Sequence, residues 1–197
     1  RIKELEGKSE TFMLLAYDPE GIDDLEDAMV IAGADTVINS GITGDGVKVA
    51  DFEGCPDDTT NLDIEDSYSS SEDIECNPTQ HARHVTGIIK NITAVAGFAP
   101  DATVYSADDK DIDALNWAVS TQFVSAVNQS FHRAAEIGDG LQADDLYKDY
   151  MVLQYPWPTI VHAAGNWCSV GSACYESGND VLSEYVNHKG FNTVSVG

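Results

Sequence analysis

The chain has 197 residues, 43% of them apolar, enough for one α/β domain with a buried core or for most of a larger one. Its 34 acidic residues against 10 basic ones give a net charge of −24; this argues against a nucleic-acid partner, which needs clustered Lys and Arg, and fits a solvated acidic face, salt adaptation or attraction of basic peptides. No apolar run approaches the roughly 18–20 residues that span a bilayer, and RIKELEGKSE is not a signal peptide; because it starts with Arg, an upstream piece is expected to have been removed or left out.

Ile22, Leu25, Met29 and Ala32 recur at helical spacing and predict an amphipathic helix over 22–32. NSGITGDG, 39–46, is a turn-rich joint. Its GITGDG is no dinucleotide loop, because it precedes its strand instead of following one. VKVADF, 47–52, reads as a buried strand, and the polar, acidic, Ser-rich stretch 55–80 as a long surface loop. HARHVTGIIKNI, 81–92, predicts a helix with Val85, Ile88, Ile89 and Ile92 inward. GFAPDA is a Gly/Pro turn and TVYSAD the next strand. DIDALNWAVSTQ, 111–122, reads as a helix capped by Asp111 with Leu115 and Ala118 inward. VSAVNQSF is a strand, 133–158 holds a helical stretch and then a Pro/Trp-rich turn, TIVHAAGN is a strand ending in a polar residue, and NTVSVG is a final strand.

This alternation predicts an α/β fold: a doubly wound, mostly parallel sheet with helices on both faces. Sites in such sheets lie at the carboxyl ends of strands. Glu53, the stretch Asn128–Phe131 and Asn166 occupy such ends, and His81 opens a helix. A histidine in a first helical turn can face a cleft, and a carboxylate beside it would fix its tautomer; Asp51 and Glu53 are the candidates nearest in sequence. The Asn166 amide, after Ala-Ala-Gly, could donate to a developing oxyanion. The four cysteines lack the tight pairs zinc prefers, and their spacing reads as two local disulfides, Cys55–Cys76 and Cys168–Cys174, or as free thiols. Disulfides would place the chain in an oxidising, secreted or periplasmic setting. Asp57, Asp58, Asp63 and Glu65 are oxygen ligands of the type calcium takes, but no EF-hand pattern is present and a solvated acidic loop is the better reading. His132 and His162 read as structural.

Four blocks carry a resemblance: GITGDGVKVADFEG, HARHVTGII with GFAPDATVYSAD, VSAVNQSF and TIVHAAGN. In this order they are similar to the successive blocks of the subtilisin-like serine peptidases (family S8). The resemblance covers 41–197 and leaves 1–40 as a helical lead-in. It implies a subtilisin-like sheet, incomplete at its C-terminal end, and a serine endopeptidase acting on polypeptides through a Glu(Asp)/His/Ser triad. His81 matches the general base, His84 a non-catalytic helix residue, and Asn166 the oxyanion amide. Ser130 and Phe131, with His132 after them, match the substrate-pairing strand beside the specificity pocket. The acid position falls on Glu53, with Asp51 as the alternative; Asp51 then needs a partner, since it stands where family members are apolar.

The sequence departs from the family at Glu53, at Arg83 and at His132, which replaces the usual glycine. No Gly-Thr-Ser-Met block occurs, so the nucleophilic serine is expected on a complementary C-terminal chain or segment. No cofactor is implied beyond the calcium alternative. The rival reading is an inactive subtilase-like module that binds peptides or proteins.

Overall fold

The computed structural model describes residues 22–69, 78–93, 96–107, 112–130, 141–156, 158–163 and 190–196. Six parallel strands form the main sheet, in the order β3-β5-β1-β6-β7-β8. They are β1 Lys48–Asp51, β3 Ile64–Tyr68, β5 Thr103–Ala107, β6 Ala126–Gln129, β7 Thr159–Ala163 and β8 Val194–Val196. A two-stranded parallel pair joins β2 Cys55–Pro56 to β4 Pro78–Thr79. The helices are α1 Ile22–Ala32, α2 Ala34–Asn39, α3 Gln80–Ile89, α4 Ile112–Asn116 and α5 Ala143–Gln154, with a π-helical turn, Trp117–Thr121, continuing α4.

Strand alternation sends successive side chains to opposite faces of the sheet. On one face Ala50, Phe52, Tyr105, Ala107, Val127 and Ile160 pack against Ala114, Leu115, Ala118, Val119 and Met151 of the helical layer. Full burial of a side chain such as Phe52 contributes about 1.5–3 kcal/mol. The other face carries Asp51 and Asn128, and α3 lies over it with Thr86 bonded to Asp51. Both faces of the parallel sheet are therefore covered by helices, as the alternating pattern predicts.

Three local expectations need correction. Residues 55–80 are not all loop, because IEDSY forms β3 and pairs with β5 at the sheet edge. Its side chains are mostly exposed polar ones, which suit an edge strand and give no apolar alternation to read. Helix α3 buries Ala82 and Thr86, whereas Ile88 is 48% exposed and Ile92, past the helix end, 54%. The floor beneath α3 is polar at Asp51, so a small residue and a hydroxyl fit where isoleucines would not. The helix stops at Ile89 because the GFAPDA turn supplies its C-terminal partners: Phe98 and Ala99 donate to the carbonyls of Ile88 and Ile89. That return is so close that a Cβ on Gly97 would stand 2.6 Å from the Ile89 carbonyl oxygen. Finally, the predicted 111–122 helix is α4 plus the π turn, with Leu115 and Ala118 buried as expected; its proposed cap Asp111 lies outside the described residues. No helix among the described residues is long and apolar enough to cross a membrane.

Candidate active site

Thr79 ends β4 and caps α3, its hydroxyl oxygen accepting from the Ala82 N–H at 3.0 Å. A threonine cap of this kind stabilises a helix by about 1 kcal/mol. Two residues later comes His81, in the first turn, where no preceding helical turn covers its ring. The ring is 59% exposed, and its Nε2 lies 2.8 Å from Glu53 Oε2, whose side chain is 1% exposed. An open imidazole thus rests on a carboxylate sealed from water.

Glu53 follows β1 at the carboxyl end of the sheet, and its second oxygen, Oε1, accepts the backbone N–H of Ser130. The Asn128 amide nitrogen lies 3.4 Å from the same oxygen and 3.0 Å from Ser130 Oγ. With Glu53 ionised and the ring neutral, Nε2–H donates to the carboxylate and Nδ1 keeps its lone pair on the other side of the ring.

Asp51 is held by two side-chain donors. Thr86 Oγ1 donates to its Oδ2 at 2.6 Å, and Asn128 Nδ2 donates to its Oδ1 at 2.8 Å. Burial pushes the Asp51 carboxyl up from 3.8 to about 7; Thr86 and Asn128 pull it down, the Glu53 charge adds to the rise, and His81 lowers it. Between about pH 4 and 7 the native state therefore holds a proton that the unfolded chain has released. Stability falls as pH rises through that window and levels off above it. Asp51→Asn removes this titration and keeps both bonds. Its unfolding free energy, measured by urea titration, is expected to gain roughly 2–4 kcal/mol on the parent between pH 4.5 and pH 8. A gap that stays constant with pH would show that Asp51 does not titrate there.

The other predicted residues fall as follows. His84 is half-buried on α3, and Arg83 is paired to Asp57, with Nε 3.2 Å from Oδ1. In the acidic loop, Asp58 accepts the N–H and hydroxyl of Thr60, and Asp63 lies 2.9 Å from the Lys90 ammonium. Among the described residues no three His, Cys, Asp or Glu side chains gather as metal ligands would. His162 is buried on β7, its Nε2 2.9 Å from Thr193 Oγ1 and its Nδ1 3.1 Å from Ser195 Oγ, an arrangement that ties β7 to β8. Cys55 is held in a disulfide; Cys76, Cys168 and Cys174 lie outside the described residues, as do Phe131, His132 and Asn166. Ser130 is described, and its N–H donates inward to Glu53. Sequence reasoning missed Thr86 and the Asn128 side chain as polar partners. The signal for Thr86 was a hydroxyl residue facing a strand in which an acid stands among apolar neighbours.

No protein-family model matches the chain, and no curated protein matches it. Solved structures do. MycP1 from the ESX-1 type VII secretion system superposes with a TM-score of 0.58 at 17% identity, over 87% of this chain and 55% of that one. MycP1 with its N-terminal propeptide removed gives 0.54 at 19% identity, over 71% and 48%. The Clostridium perfringens CspB protease gives 0.51 at 16% identity, over 68% and 39%. These are subtilisin-like serine proteases, and what the chain shares with them at such identities is the fold. It spans about half the length of the MycP1 structures it matches.

Proposed function

We propose that this chain supplies the acid–base part of a subtilisin-like serine endopeptidase site. The observation that carries the reading is the 2.8 Å contact between the open ring of His81 and the sealed carboxylate of Glu53. In this reading Glu53 orients His81 and stabilises the imidazolium that forms when the ring takes a proton from a serine hydroxyl. That serine belongs to a complementary segment outside residues 1–197. The Asn166 amide donates to the oxyanion, and Ser130, Phe131 and His132 border the peptide substrate. The pairs Cys55–Cys76 and Cys168–Cys174 staple the surface loops, which suits a secreted or periplasmic protein.

A second reading, a peptide-binding module without turnover, is favoured by the glutamate at the acid position. A fluorophosphonate probe separates the two. Applied to the full protein, it is expected to label a serine outside residues 1–197, with labelling lost in His81→Ala. Folded, complete protein that takes no label favours the binding module.

A further inference from the structure

Asp51 stands mid-sheet, 1% exposed, with Ala50 and Phe52 of the apolar core on either side of it in sequence. A carboxyl in this place costs stability that an apolar side chain would not. What it adds is direction, because each oxygen holds a different element. Oδ2 takes the hydroxyl of Thr86, five residues after His81 on the same helix. Oδ1 takes the amide of Asn128, whose nitrogen also faces Ser130 Oγ and Glu53 Oε1. Both members of the Glu53–His81 pair are thus one link away from Asp51, one through β6 and one through α3.

We propose that Asp51 is a positioning residue for the Glu53–His81 pair, clamping α3 through Thr86 to β6 through Asn128. The proposal rests on reading Glu53 and His81 as an acid–base pair. The Thr86 bond sets how deep α3 sits and how it is turned, and so where its first turn presents the imidazole. The Asn128 bond sets the amide between the two carboxyls, and so the seat of Glu53. The clamp survives a change of charge. A proton on Oδ2 can point to the Thr86 hydroxyl oxygen while Oδ1 still accepts from Asn128. The titratable groups acting on Asp51 are Glu53 on its own segment and His81 on α3. The other cations of α3 and its end are engaged elsewhere, Arg83 with Asp57 and Lys90 with Asp63.

The test reads the pair directly, by the NMR resonance of the His81 ring proton bonded to Glu53 and by its exchange with water, in the full protein. Asp51→Asn keeps both bonds, with its amide donating to Thr86, and is expected to keep that resonance. Asp51→Val and Thr86→Val break the clamp and are expected to raise the exchange rate at least about tenfold. Where turnover is measurable, kcat should fall about 10–100-fold in these two variants with KM little changed, as for a displaced catalytic group. Parental exchange in folded Asp51→Val overturns the proposal. If that variant does not fold, Thr86→Val decides in the same way. The NMR readout needs no substrate, so it can fail while the proteolytic reading stands. An inactive protein with the expected exchange pattern would sink the proteolytic reading alone.

Discussion

His81→Ala in the full protein is expected to lower kcat for peptide hydrolysis about 10⁴–10⁶-fold, with KM nearly unchanged. The size follows from what is left behind. Glu53 cannot replace the ring as base, because its oxygens sit in a sealed seat, one accepting the Ser130 N–H and the other facing the position the ring has left. His81 is more than half exposed, so its removal opens no core cavity. Helix α3 keeps its Thr79 cap and its buried Ala82 and Thr86. The thermal midpoint should fall modestly, because the buried Glu53 carboxylate loses its 2.8 Å partner, a loss of about 1–3 kcal/mol that leaves the fold in place. Steady-state kinetics on a peptide substrate, with a melting curve as control, checks both statements. A loss smaller than tenfold in a folded variant removes His81 from the base's role.

The contrast between His81 and Asp51 shows which parts of this protein are legible in its sequence. The parallel sheet is legible because strands such as KVAD and TIVHA are dense in apolar residues and alternate with helical spacing. His81 and Glu53 are legible because helix starts and strand ends are where a parallel sheet gathers chemistry, and the structure brings these two together. Strand β3 is not, because an edge strand with water on most of its side chains needs no apolar pattern. The inner face of α3 is misread for a related reason. Periodicity counts isoleucines, but the surface beneath the helix is set by Asp51, so Thr86 goes in and Ile88 stays out. A buried polar contact depends on two distant segments meeting, and neither segment announces the other.

Glu53→Gln separates the charge of the acid from its shape, and is expected to lower kcat about 10⁴-fold, the loss typical when the orienting carboxylate of such a triad becomes an amide. The glutamine carbonyl can still accept the Ser130 N–H, which leaves the amide NH₂ facing His81. The ring must then accept at Nε2 and carry its proton on Nδ1, the nitrogen that should offer a lone pair. The seat is kept and the tautomer is wrong. Glu53→Asp makes the opposite change. Charge is retained, but the carboxylate withdraws by about one methylene from a contact that is 2.8 Å in the parent. Misplacement on the order of 1 Å costs about 10²-fold, so this variant should retain more activity than the isosteric amide. The ranking discriminates better than either number alone. Charge delivered to Nε2 predicts Gln below Asp. If reach alone mattered, the shorter acid would be the worse enzyme. If Asp51 were the acid, both changes at 53 would be mild and Asp51→Asn would take the 10⁴-fold loss.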